Sequence, residues 1–296
     1  ADGTLALSYS PETTAWIDAG VIQPVSLKLL SAGPGYADRT NAEVSQSDNY
    51  TVVYSLRVDS AILDFLVTVL DRSTGAVVYD EALVNDMAEP GFDFRAVYLA
   101  GTGRHVCYFK QRSATNLRRL VINEAALTVS TPLSVTTDAA DISNAAANAG
   151  LDMCALTAST WVMAYHTTTA TDIKIVTGDH TGITSTLATL VEQPVDALAI
   201  AMVNDSGTDR TLLVYKQVAT NNIRGVMLST AGAVIWGPTT LSTAATTTVA
   251  SITVTEEPIA STTPNFTVFV DLIGSTAAAD VTFSFRRVIS SGASST

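Results

Sequence analysis

Lysine is nearly missing from this chain: four of its 16 basic residues are Lys, against 28 Asp plus Glu, for a net charge of −12. A surface of that sign repels phosphate backbones, which excludes tight nucleic-acid binding. The densest basic spot, Arg118-Arg119 between Leu117 and Leu120, reads as part of a half-exposed strand. Histidine is scarcer still. His105, His166 and His180 are the whole complement, and no HxH or HxxxH spacing joins any two of them. Metal and cofactor motifs are therefore absent, and His105 and His166 read as surface or strand-edge residues. The only cysteines, Cys107 and Cys154, avoid CxxC spacing and sit in the apolar runs HVCYF and LDMCAL. Buried free thiols are the expectation, with the redox compartment left open. No apolar run approaches the roughly 20 residues of a membrane helix. The opening ADGTLALSYS carries no signal-peptide pattern and no Met, so a removed leader or a processed chain is expected.

Catalytic words are missing too. There is no Gly-x-Ser-x-Gly turn, no DxDxDG calcium loop and no glycine-rich phosphate loop. Asn204-Asp-Ser-Gly-Thr-Asp209 holds suitable ligand types but reads better as a hairpin turn, and GTG at 101–103 reads as a turn between strands. Helical periodicity is almost nil. The Ala-rich DISNAAANAG (141–150) is broken by Asn, Ser and Gly and reads as a loop.

What the sequence does have is strands. Of its 296 residues 47% are apolar and only 15% charged, enough for a large core. Val, Ile, Thr, Tyr and Phe crowd into short runs separated by turn residues. The runs also repeat. Gly75-Ala-Val-Val-Tyr79 matches Gly232-Ala-Val-Ile-Trp236, and HVCYFKQRSATNLRRLVI (105–122) matches TLLVYKQVATNNIRGVML (211–228). Further copies are YTVVYSLRVDSAILDFLV (50–67), WVMAYHTTTATDIKIV (161–176) and NFTVFVDLIGSTAAADVTF (265–283). Their anchoring aromatics are Tyr54, Phe109, Tyr165, Tyr215 and Phe269, spaced by 55, 56, 50 and 54 residues. A period this regular marks a tandem structural unit.

Each unit holds four strands. In the best-marked copy they fall at 196–203, 212–217, 223–229 and 233–241. About 54 residues of antiparallel meander, repeated, predicts an all-β fold: a β-propeller of five, or six, four-stranded blades. The expected blades span about 38–90, 91–140, 150–191, 195–245 and 248–290, in a single domain of residues 1–296. The last unit has strands at about 249–255, 265–272 and 280–288 and no fourth. AGVIQPVSL (19–27) resembles AGAVIWGPTTL (231–241), so residues 19–28, within a closing segment 1–30, are expected to complete that blade. The ring would then close by pairing N- and C-terminal strands and leave no open edge.

Paired carboxylates are the one enzymatic option. Asp93, Asp152 and Asp196 open the first strands of successive units, in FDFRAVYL, LDMCAL and VDALAI. Five-bladed propellers include furanosidases with acids lining the axial channel, and such chemistry needs two carboxyls about 5–10 Å apart. The alternative is that each Asp caps a turn.

Asp71-Arg-Ser-Thr-Gly-Ala-Val-Val-Tyr79 resembles the strand-turn words of quinoprotein-type propellers, but three tryptophans (Trp16, Trp161 and Trp236) cannot form their docking ring. The Ala/Thr/Ser-rich, Lys-poor, acidic repeat region as a whole is similar to propeller modules of tailed-phage virion proteins, tail nozzle or tail-tip components. That resemblance implies a non-catalytic scaffold, conduit or receptor-facing surface, in a homo-oligomer or larger particle, on a virion or outside the cell. The other expectations are a secreted lectin-like binding propeller with a carbohydrate ligand, and the glycoside hydrolase with Asp93, Asp152 and Asp196.

Overall fold

The computed structural model describes residues 42–59, 62–84, 94–110, 117–135, 150–167, 172–191, 195–217, 220–243, 249–257, 264–272 and 281–294. The expected closing segment and most of the 141–150 stretch lie outside these. The chain divides into two units, Ala1–Asn85 and Asp86–Thr296.

In the first unit β1 (Ala42–Gln46), β2 (Tyr50–Asp59), β3 (Ile62–Asp71) and β4 (Val77–Val84) form one antiparallel meander in chain order. Tyr54 is fully buried, with its ring stacked on Phe65 at 6.2 Å between centroids. The β3–β4 turn explains its own sequence. The Asp71 carboxylate accepts from the Ser73 hydroxyl at 2.7 Å and from the backbone N–H of Thr74 and Ser73, both at 2.9 Å, and these bonds, the Ser73 hydroxyl first, hold its pKa below the usual carboxylate value. Gly75 follows at φ 69°, a conformation that L side chains resist.

The second unit stacks four such sheets. The first contains β5 (Phe94–Leu99), β6 (Arg104–Lys110) and β7 (Leu117–Asn123), whose outer edge pairs with two short strands, β8 (Thr128–Val129) and β9 (Leu133–Ser134). Pro132 lies between those two pieces and cannot donate to a ladder, so the fourth-strand position is split there. Next come β10 (Leu151–Ala155), β11 (Trp161–His166), β12 (Asp172–Asp179) and β13 (Gly182–Val191). They are followed by β14 (Val195–Asp205), β15 (Thr208–Gln217), β16 (Asn222–Ser229) and β17 (Val234–Ser242). Last are β18 (Val249–Glu256), β19 (Asn265–Leu272) and β20 (Val281–Val288), a sheet of three strands among the described residues. Every pairing is between antiparallel neighbours, as the repeat predicts.

The sheets pack face to face, and the middle strands show why the sequence is apolar in unbroken runs. Leu212 and Val214 of β15 enter the core shared with β19, while Leu213 and Tyr215 point the other way, into the core shared with β11 and β12. A strand buried on both faces loses the alternation of a half-exposed one. On the far side of β11, Trp161, Met163 and Tyr165 meet Val106 and Tyr108 of β6. Tyr108 and Trp161 meet edge to face at 4.8 Å, an arrangement that favours aromatic pairs. Trp236, from the repeated Gly-Ala-Val-Ile-Trp phrase, donates its indole N–H to the carbonyl of Ile289 at 2.9 Å and stacks on Phe266. It thereby pins the C-terminal turn to the preceding sheet.

Two expectations need correction. Tyr54, Phe109, Tyr165 and Tyr215 are buried, but Phe269 is 40% exposed. In β19 it is Phe266, Val268 and Val270 that face the preceding sheet. Aligning on the aromatic slipped the register by one residue, and in a strand one residue exchanges the two faces. His105 and His166 are not surface residues either; both are buried within continuous strands.

Candidate functional site

The first strands of the second unit's sheets, β5, β10, β14 and β18, lie side by side. Two features sit along this row. The first is Asp152, the only one of the three predicted acids whose side chain can be placed. Asp93 lies outside the described residues, and for Asp196 only the backbone, in β14, is described. Asp152 is inside β10 rather than before it, so it caps no turn. One carboxyl oxygen takes the Nε–H of Arg95 on β5 at 3.0 Å, and the other takes the backbone N–H of Ile200 on β14 at 2.8 Å. One side chain thus ties three sheets together. Burial pushes its pKa above the usual carboxylate value, with Arg95 and the Ile200 N–H acting against the shift. Cys154, two residues on, is free, and burial with the nearby Asp152 charge pushes its thiol up to about 12. At neutral pH it is a protonated, inert thiol. Cys107 is likewise free and buried.

The second feature is an open cavity of about 370 Å³ at the C-terminal ends of the same strands. Tyr98 and Ala100 from the end of β5, residues 155–158 after β10, and Met202 of β14 form an apolar and aromatic wall. Asn204, Asp209 and Glu256 form the polar side. The Asn204 N–H donates to Glu256 Oε2 at 3.1 Å, and Asn204 Nδ2 donates to Asp209 Oδ1 at 2.9 Å. Both carboxylates are thus set by one residue. The β14–β15 turn fixes that residue in turn, because Asn204 Oδ1 accepts the Gly207 N–H at 2.7 Å, with Ser206 and Gly207 at positive φ. This is the hairpin expected for 204–209. Among the described residues, no Lys, Arg or His lines the cavity.

Behind Tyr98 a polar chain runs into the protein. Tyr98 Oη donates to Glu124 Oε2 at 3.1 Å, and His105 Nε2 lies 2.9 Å from Glu124 Oε1. The tyrosine and histidine rings are 4.7 Å apart. Burial lowers the His105 pKa below its ordinary value, and Glu124 opposes that shift. Elsewhere Arg118 is half-buried and donates to the carbonyl of Pro132 at 2.9 Å, whereas Arg119 is buried beside Tyr108. The half-exposed reading holds for the first arginine and not for the second. Among the described residues no group of three His, Cys, Asp or Glu could hold a metal ion.

The stack of four-stranded meanders has counterparts among solved structures. A fungal lectin from Aleuria aurantia, described as a six-bladed β-propeller with a novel fucose recognition mode, superposes with a TM-score of 0.55 at 12% identity, over 83% of this chain and 75% of that one. The chain has the β-propeller fold. A mercury-derivative form of the Aleuria fucose-specific lectin agrees, at TM-score 0.52 and 10% identity over 83% and 73% of the two chains. An exo-β-1,3-galactanase from Phanerochaete chrysosporium gives TM-score 0.47 at 12% identity, and the propeller here spans 56% of its length. No family model matches the chain, and no curated protein does. The likeness to tailed-phage modules therefore still rests on composition and repeat length.

The residues that build the cavity were not among the sequence-level candidates. Asp209 hid inside a good turn word, Glu256 ends a strand where an acid is ordinary, and Glu124, behind Tyr98, sits in the turn after β7. Tyr98 was one aromatic of a strand among many.

Proposed function

We propose that this propeller is a non-catalytic carbohydrate-binding module whose site is the cavity at the ends of β5, β10, β14 and β18. The observation that carries the reading is the lining: an aromatic and apolar wall facing preset carboxylates. A sugar ring has an apolar face of C–H groups and a rim of hydroxyls, and such a wall and rim complement it. The fold is shared with lectins, one described as fucose-specific, which adds support at the level of architecture. Asp152 supports the non-catalytic side of the proposal, because both of its carboxyl oxygens are engaged between sheets. The cavity is shallow, so a single site binds weakly; copies on an oligomer or a particle would add avidity. The expected self-association, and a location outside the cell or on a virion as a receptor-facing surface, belong to this same proposal.

The test is binding of the purified protein to a broad glycan panel, with Tyr98→Ala as control and a chromogenic glycoside screen alongside. Binding that falls about tenfold or more in the variant, with no turnover, is expected. Turnover that disappears in Asp152→Asn would establish the hydrolase instead.

A further inference from the structure

We propose that the cavity recognises hydrogen-bond donors and excludes anionic glycans, so that its ligands are neutral or amino-bearing sugars. This rests on the carbohydrate reading above and adds the chemical class.

The hydrogen-bond directions carry it. Tyr98 has one hydroxyl proton, and that proton goes to Glu124 Oε2. Glu124 cannot turn away, because its other oxygen is held by His105 at 2.9 Å. Tyr98 therefore has no hydroxyl proton left to give a ligand. Asn204 directs one of its two amide N–H groups onto Asp209 Oδ1 and its backbone N–H onto Glu256 Oε2. Each of those carboxylates keeps a second oxygen, and an ionised carboxylate only accepts. Thr157 at the rim has its hydroxyl paired with that of Thr160 at 2.7 Å. The polar side thus offers the second oxygens of Glu256 and Asp209 as acceptors, against one remaining amide N–H on Asn204.

Charge points the same way. Two carboxylates line the cavity, a third lies behind Tyr98, and among the described residues no cationic side chain lines it. Nearby Arg210 is directed toward Asp205, with Nε to Oδ2 at 4.0 Å. A carboxylate, sulfate or phosphate on the ligand would meet acceptors and like charge, whereas sugar hydroxyls and an ammonium group find partners. His105 acts here as a positioning residue, holding Glu124 so that it claims the tyrosine proton.

The experiment uses a printed panel of neutral, amino, uronic, sialylated and sulfated glycans at pH 7. The expected result is binding of neutral or amino members and at least tenfold weaker binding of their sulfated and carboxylated counterparts. Asp209→Asn with Glu256→Gln should narrow that ratio severalfold, with an unchanged melting temperature showing that the fold persists. Should the pair of changes unfold the protein, salt replaces it: raising ionic strength should narrow the ratio in the unmodified chain. Sulfated or sialylated glycans binding as tightly as neutral ones would overturn the selectivity while leaving the carbohydrate reading intact. Binding of no member at all would remove both.

Discussion

Replacing Asp152 by Ala should destabilise the protein, and the size of the loss follows from what the carboxyl holds. The change leaves the backbone N–H of Ile200, a residue 4% exposed, without its 2.8 Å acceptor. An orphaned buried donor costs about 1–3 kcal/mol. It also leaves the Arg95 guanidinium without its 3.0 Å partner. Breaking a fully buried pair costs about 3–5 kcal/mol and an exposed one about 0–1. Here the side chains of Arg95 and Asp152 are 27% and 19% exposed, which puts this part between those limits. The two losses share one side chain and do not add fully, so roughly 2–4 kcal/mol is expected in all. Urea unfolding at pH 7 reads it as a lower midpoint with an unchanged slope. Adding Arg95→Met should return part of the loss, because the second change removes the guanidinium whose facing carboxylate has gone. Full stability with loss of a glycoside-cleaving activity would refute the reasoning and make Asp152 a catalytic acid.

Phe109→Ala should cost about 3–5 kcal/mol, the usual range for a fully buried aromatic, while Phe269→Ala should cost clearly less because that ring is 40% exposed. Equal losses in thermal or urea unfolding would contradict the one-residue slip in β19. His105 has a folded pKa below the usual 6.5, so its contribution is intact above that pH and is lost as pH falls through the lowered value. The melting temperature should therefore drop between pH 7 and pH 5, and His105→Gln should flatten that slope; an unchanged slope would mean the histidine is solvated. Deleting residues 1–28 should lower the melting temperature if 19–28 supply the last blade's fourth strand, and an unchanged cooperative melt would sink that closure.

The repeat was legible because each blade reuses one arrangement. A Gly at positive φ recurs where the third strand turns into the fourth in three of the sheets, at Gly75, Gly182 and Gly232, while Leu127 takes positive φ between β7 and β8. Apolar runs recur because the middle strands, such as β11 and β15, are buried on both faces. The fifth anchor misled for the opposite reason: β19 alternates, with Phe266, Val268 and Val270 turned into the core and Thr267 and Phe269 turned the other way, so the aromatic that matches the repeat word lies on the exposed face. The site was not legible, because its parts are a turn Asn, a turn Asp, a strand-end Glu and a strand Tyr from β5, β14, β15 and β18. Nothing local marks residues that meet only when those strands line up side by side. Asp152 was visible as an acid near a strand start, but its partners Arg95 and Ile200 lie 57 and 48 residues away in sequence.

Methionine methyl NMR tests the central claim most directly. Met202 lines the cavity, whereas Met163 and Met227 are fully buried between sheets. On titration with a neutral glycan that binds the panel-tested protein, the Met202 methyl signal should shift saturably while those of Met163 and Met227 stay in place. A saturable response that leaves Met202 unmoved would put the binding site elsewhere and contradict the account.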